Sequence, residues 1–239
     1  MNRPISVAID GPSAAGKSTL ARMLAKHLGF LYVDTGAIYR TVGLYVRRQN
    51  INPKEEAAIA PLLPQLQIHL RYEKDGMQHM YLGQEDVSEA IREHAISQYA
   101  SDVSALPSVR QFLLSMQRNL AASGNVVMDG RDIGTVVLPC ADVKIFLTAS
   151  AEERARRRFQ ELKERGNPTP FETVLHDILQ RDLQDQSRAA APLKQAEDAI
   201  LIDSTHRTAE ECMTIIQSLV VSIQEKRTAE CQKENREEV

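Results

Sequence analysis

Five short apolar runs punctuate the chain, at residues 5–10, 30–34, 126–129, 143–147 and 199–203. Apolar stretches this short, bounded by polar or glycine residues, predict strands buried on both faces. Four of the five close on an aspartate. Between most of them the periodicity is helical. Residues 19–28 place Leu20, Leu24 and Leu28 one or two turns apart, with Met23 and His27 alongside and Gly29 as the stop. Residues 152–165 and 208–225 predict two further helices. Strands alternating with helices predict right-handed crossovers and a parallel sheet covered on both faces. The functional groups of such a sheet gather at the carboxyl ends of its strands, where these aspartates fall. One region breaks the rhythm. Residues 67–72 and 77–82 are β-like runs joined by Glu73-Lys74-Asp75-Gly76, and Asp-Gly is a hairpin signal. A small antiparallel insert is expected at about residues 63–93. The tail from Gln224 has nine charged residues among its last sixteen and predicts a fraying helix or disorder.

Composition adds limits. A chain of 239 residues, 43% hydrophobic, can bury a sizeable core as one domain without disulfides. Cys140, Cys212 and Cys231 are scattered and odd in number, which predicts reduced thiols in a cytoplasmic protein. Lys and Arg total 29 against 32 Asp and Glu, so a nucleic-acid partner is not expected. The opening MNRPISVAID carries no signal-peptide pattern, and no apolar run approaches the roughly 18 residues of a membrane span. Any anion that this protein binds must be met by arginines gathered locally.

Residues 11–18 read GPSAAGKS, a complete G-x-x-x-x-G-K-[ST] phosphate loop between a predicted strand and a predicted helix. Glycines let main-chain N–H groups wrap a phosphate, and the helix start adds the positive end of its dipole. The expected phosphate-binding set is Gly11, Pro12, Ser13, Ala14, Ala15, Gly16, Lys17, Ser18 and Thr19. Lys17 would reach the β- and γ-phosphates of ATP, and Ser18 would ligate Mg²⁺ with Asp129 behind a water. A GTPase switch should carry D-x-x-G and N-K-x-D elements, and neither is present. A motor ATPase should carry a glutamate beside the metal-side aspartate, whereas Asp129 is followed by Gly130 and Arg131.

A phosphotransferase acting on a phosphorylated acceptor must hold two anions together. At 4 Å each charge pair costs about 4 kcal/mol at an effective dielectric near 20, so fixed cations are needed. Arginine suits that task, because its planar fork grips phosphate and stays charged. The segments DTGAIYR (34–40) and DGRDIGT (129–135) follow the second and third strands. Arg154, Arg156, Arg157 and Arg158 cluster after the fourth, where a cationic lid over the ATP phosphates is one reading and a solvated helix face the other. Arg181, Asp185 and Arg188 share one predicted helix face, placing a carboxylate between two guanidinium groups, which suits a ribose hydroxyl or a base edge.

With these motifs the chain resembles the bacterial cytidylate kinases, of the nucleoside monophosphate kinase group, from Ile5 to about Ser222. The match runs through IDGPSAAGKS, DTGAIYR, DGRDIGT and RD-x-x-D-x-x-R-x-x-AP. The resemblance implies one domain: a five-stranded parallel core (about 1–62 and 94–222), the insert (63–93) as monophosphate-binding element, an arginine-bearing lid (152–190) and the charged tail (224–239). It implies ATP-dependent phosphorylation of CMP and dCMP, with Mg²⁺, by a monomer. Arg40 and Arg131 would then hold the acceptor phosphate, with Thr35 and Tyr39 lining its pocket. Ser101, Arg110, Asp132 and Arg188 would read the cytosine edge, and Arg181 and Asp185 the ribose. Lys17, Arg131 and Arg158 would serve catalysis, with Arg154 and Arg158 acting from the lid. Thr35 stands where many relatives have serine, and Ala14 where a loop glycine is often seen. Two alternatives stay open: a kinase for another small acceptor, such as UMP, shikimate or a sugar acid, and a non-catalytic nucleotide-binding regulator.

Overall fold

All five apolar runs become strands of one sheet, because helices cover both of its faces. The computed structural model describes residues 3–73 and 78–237, the side chains of His94 and of residues 226–237 excepted. Strand β1 (Ser6–Asp10) leads through the glycine-rich loop into α1 (Lys17–Leu28), and β2 (Leu31–Asp34) runs directly into α2 (Thr35–Arg48). A single turn, α3 (Glu56–Ile59), precedes the small sheet of β3 (Ile68–Tyr72), β4 (Gln78–Leu82) and β5 (Glu85–Asp86). Helices α4 (His94–Ser104) and α5 (Pro107–Ala122) return the chain to β6 (Val126–Gly130), a π-helical turn (Ile133–Val137) and β7 (Val143–Thr148). The helix pair α6 (Ala151–Glu164) and α7 (Phe171–Ser187), strand β8 (Ile200–Asp203) and α8 (Ala209–Glu237) complete the fold.

The main sheet has the order β2-β6-β1-β7-β8, and every pair is parallel. Its register sets Asp34 of β2 opposite Asp129 of β6, and Asp10 of β1 opposite Gly130. Alternate residues feed two cores. Val7 and Ile9 pack with Leu20, Leu24 and Ile216 of α1 and α8, while Ala8 and Met128 pack with Ile38, Val42, Val103 and Leu113 of α2, α4 and α5. A separate cluster of Ala155, Leu162, Val174 and Ile178, with Phe159 edge-on to Phe171 at 6.0 Å, makes α6 and α7 a self-packed arm.

The five predicted strands match to within one residue at either end, and the two runs of the hairpin pair antiparallel from Ile68↔Leu82 to Tyr72↔Gln78. The Asp75-Gly76 turn lies outside the described residues. The third short strand, β5, has too little pattern for the sequence to show it. One expectation needs correction. Arg188 does not share a helix face with Arg181 and Asp185, because α7 ends at Ser187 and Arg188 is already extended, at φ −64°, ψ 140°. Of the two readings of the charged tail the helical one holds, its backbone being helical as far as Glu237.

Helices α2 and α4 cross at Gly43, where a Cβ would lie 2.9 Å from the backbone nitrogen of Ala100 and 3.2 Å from the carbonyl carbon of Tyr99. Only a missing side chain lets the two backbones approach this closely. Gly43→Val is expected to cost about 1–3 kcal/mol by overpacking. Urea denaturation checks it, and an unchanged midpoint would contradict the close crossing.

Candidate active site

The phosphate loop is shaped by its neighbours. Gly11 has φ 149°, and a Cβ there would sit 1.9 Å from the carbonyl oxygen of Leu147, so the loop is pressed against β7 and any side chain would displace it. Gly16, at φ 92°, turns the chain into α1, whose first turn carries no acidic residue to neutralise the helix dipole. Ala14 takes a left-handed φ of 60°, a conformation that costs a residue with a Cβ about 1–2 kcal/mol. Lys17 is 5% exposed and donates to the carbonyl of Pro12 at 2.7 Å. Burial, with repulsion from Arg131, pulls its ammonium well below the usual lysine value, against Asp129 and Asp185.

Asp129 is the pivot of the donor side. Its Oδ2 accepts from Ser18 Oγ at 2.8 Å and its Oδ1 from the Tyr32 hydroxyl at 3.0 Å. Burial, then the nearby Asp34, push its carboxyl up to about 6 despite Lys17 and Ser18. No group of three or more Cys, His, Asp or Glu among the described residues could hold a metal unaided. One hydroxyl and one carboxylate beside a phosphate loop suit Mg²⁺, a hard cation that keeps waters and shares phosphate oxygens.

The opposite wall is cationic. Asp34 caps α2 by accepting from Ala37 N at 2.8 Å and holds Arg40 Nη2 at 2.9 Å. Thr35 Oγ1 donates to the Asp129 carbonyl at 2.7 Å, which locks α2 to β6. Arg131 Nε donates to Asp185 at 2.9 Å, and Arg110 pairs closely with Asp132 while lying over the Tyr39 ring. Burial raises the Asp185 carboxyl, yet Arg131, Arg181 and Arg188 around it outweigh that and hold it below the ordinary value. Three guanidinium atoms, Arg40 Nε, Arg181 Nε and Arg188 Nη2, are buried with no hydrogen-bond partner among the described residues. Burial and the nearby Arg131 push Arg181 down to about 10.

These walls enclose a cleft of ≈ 590 Å³ lined by eleven basic and six acidic side chains, although the whole chain is net negative. Ser13, Ala14 and Gly16 through Thr19 line it, as do Thr35, Tyr39, Arg40, Arg110, Arg131, Asp132, Arg158, Arg181, Asp185 and Arg188. Gly11, Pro12 and Ala15 do not line it. Neither does Ser101, which is 3% exposed and donates to Gln184 Oε1 at 3.2 Å. Arg154 departs from its expected place in a lid over phosphates. It is buried, paired bidentately with Asp182 of α7 at 2.6 and 3.0 Å, and donates to the Ser13 carbonyl, so it braces the arm against the loop. Its neighbour Arg157 reaches the cleft instead and donates to Ser204. Sequence reasoning also missed Asp10, whose two oxygens accept from Ile133 N at 2.8 Å and Gly134 N at 2.7 Å. Its signal was present, as the charge ending the strand that enters the phosphate loop.

The cytidylate kinase family model matches residues 7–222. The cytidylate kinase of Caldicellulosiruptor saccharolyticus is 49% identical over 92% of this chain and 97% of its own length. That of Caldanaerobacter subterraneus subsp. tengcongensis is 52% identical over 88% of this chain and 92% of its own length. Among solved structures, the shikimate kinase of Bacteroides thetaiotaomicron aligns at TM-score 0.45 and 15% identity over 90% of this chain and 98% of that one, too slight a likeness to carry any argument.

Burial gives Asp10, like Asp129, a carboxyl pushed up to about 6 from 3.8, the Ile133 and Gly134 amides notwithstanding. Between those values the folded state keeps protons that the unfolded chain has released, so stability falls as pH rises through about 6. From pH 5 to 7 each group should withdraw about 1 kcal/mol from the ligand-free fold. Urea denaturation of the ligand-free protein across that range should show the decline, and Asp10→Asn should lessen it. A flat wild-type profile would contradict the burial argument.

Proposed function

Because the chain belongs to the cytidylate kinase family, we propose that it transfers the γ-phosphoryl group of ATP to CMP and dCMP, giving ADP and the nucleoside diphosphate. The observation that carries this reading is a set of three guanidinium nitrogens, one each from Arg40, Arg181 and Arg188, buried without a hydrogen-bond partner among the described residues in a net-positive cleft. Leaving such donors unpaired is costly, and a ligand that presents several phosphate oxygens would satisfy them.

The roles follow from the chemistry on each wall. Loop amides and the α1 start would cradle the ATP phosphates, and Lys17 would follow charge onto the oxygens of the transferred group. Mg²⁺, held beside Ser18 and Asp129, would supply charge neutralisation at the phosphates. Arg40 and Arg131 would grip the acceptor phosphate, whose oxygen is already ionised, so no strong general base is required. Arg158, from the arm, would add positive charge as the arm closes and water is excluded. Asp132 can accept from the cytosine amino group, while Arg110 and Arg188 can donate to the ring nitrogen and carbonyl. Uracil inverts the first two positions and would leave buried polar groups unpaired. Asp185 and Arg181 would meet the ribose, and Ser101 would need to turn from Gln184 to join the base-reading set. On this reading residues 63–93 close over the monophosphate and residues 152–190 over ATP. On the same reading, by its family, the enzyme works as a monomer in the cytoplasm; no helix among the described residues is long and apolar enough to cross a membrane.

ADP release from Mg-ATP should be strong with CMP and dCMP, at least about tenfold weaker with UMP, and near background without acceptor or with EDTA. Background rates with every monophosphate would defeat the reading. Lys17→Ala should lower kcat by about 10²–10³-fold with an unchanged circular dichroism spectrum. Near-normal turnover in that variant would remove the phosphate loop from the chemistry.

A further inference from the structure

Strand β2 is an edge of the main sheet. It pairs only with β6, and Leu31 N is spent on Asn125 O. By the alternation of a parallel ladder the amides of Tyr32 and Asp34 face outward, the arrangement that leaves a sheet edge open. Among the described residues no strand covers them. Two side chains of the small sheet do. The Tyr72 hydroxyl accepts from Tyr32 N at 2.8 Å and donates to Tyr32 O, so one side chain satisfies both backbone groups of the residue. Gln78 Oε1 accepts from Asp34 N at 3.1 Å, and its amide is oriented by a contact of Nε2 with Met80 Sδ at 3.4 Å. Tyr72 and Gln78 are themselves the cross-strand pair that ends the described part of the hairpin. The small sheet thus meets the β2 edge through one residue from β3 and one from β4, besides the apolar packing of Ile68 and Met80 on the core.

The clasped backbone is not inert. Asp34 carries Gln78 on its amide, the α2 N-terminus on one carboxylate oxygen and Arg40 on the other. Displacing Gln78 releases the residue that orients Arg40, whose Nε is one of the unpartnered cleft donors. We propose that Tyr72 and Gln78 are positioning residues for the acceptor site, with Gln78 aligning Arg40 through Asp34 and Tyr72 fixing the small sheet to β2. The assignment rests on the phosphoryl-transfer reading given above and names how the acceptor half of the cleft is held in place.

Tyr72→Phe keeps the ring and loses only the hydroxyl, and Gln78→Met keeps the length and loses the acceptor. Each should raise the KM for CMP about fivefold while the KM for ATP stays within about twofold. Amide hydrogen exchange should quicken at Tyr32 in the first variant and at Asp34 in the second, with the remaining strands of the main sheet unchanged. Variants that match an active wild type in both KM values, or that weaken both substrates alike, would overturn the assignment and leave the functional reading standing. A wild type silent with every monophosphate would overturn the functional reading and this assignment together.

Discussion

The parallel register of β1, β2 and β6 brings three carboxylates to the carboxyl end of the sheet, Asp34 opposite Asp129 and Asp10 one residue further on, and the site is organised around satisfying them. Asp10 and Asp129 are buried and Asp34 nearly so. A buried carboxylate without partners is costly, so each must recruit donors. Asp10 takes the two amides that open the π-helical turn, Asp34 takes the α2 N-terminus and Arg40, and Asp129 takes Ser18 and Tyr32. The phosphate loop, the DTGAIYR helix and the DGRDIGT turn are thereby fixed relative to one another by one set of interactions.

That arrangement leaves the cations under-compensated. Arg131 and Arg188 share Asp185, Arg40 holds Asp34 with one nitrogen only, and Arg181 faces other guanidinium groups. Like-charge crowding of this kind works against the ligand-free fold. On the proposed function it would become favourable when the nucleotides enter, a trade of stability for affinity. The arm formed by α6 and α7 has its own apolar cluster, and the buried Arg154–Asp182 pair keeps its two helices together. Arg154 also ties it to the phosphate loop through the Ser13 carbonyl, so on the proposed function the arm would move as one body about that contact.

Elements defined by local pattern were legible in the chain. The strands are continuous apolar runs because both faces are covered, and the loop motif has few structural solutions. Arg40, Arg131 and Arg181 could be placed because they follow strand ends or share a helix face with Asp185. The misreadings have a common physical origin. Arg154 and Arg158 lie four residues apart in an exposed-looking basic cluster, and nothing local distinguishes the one that meets Asp182 in α7 from the one that reaches the cleft. Arg188 falls at helical spacing, but the helix stops one residue earlier, where Arg188 Nε donates to the Ala191 carbonyl. Ser101 faces Gln184, a partner 83 positions away. Periodicity reports neither the turn that ends a helix nor a partner distant in the chain.

The edge of β2 shows the same division from the other side. A parallel sheet of five strands must end somewhere, and an uncovered end invites pairing with another chain. Adding a sixth strand would close the edge rigidly and fuse the small sheet to the core. Side-chain hydrogen bonds from Tyr72 and Gln78 cover the same amides with contacts that can break one at a time. On the proposed function, an element that opens for a substrate and closes over it would need attachment of that kind beside the apolar packing of Ile68 and Met80, strong enough to orient Arg40 and weak enough to release. The physical demand on the edge and the kinetic demand on the site would then be met by the same two residues.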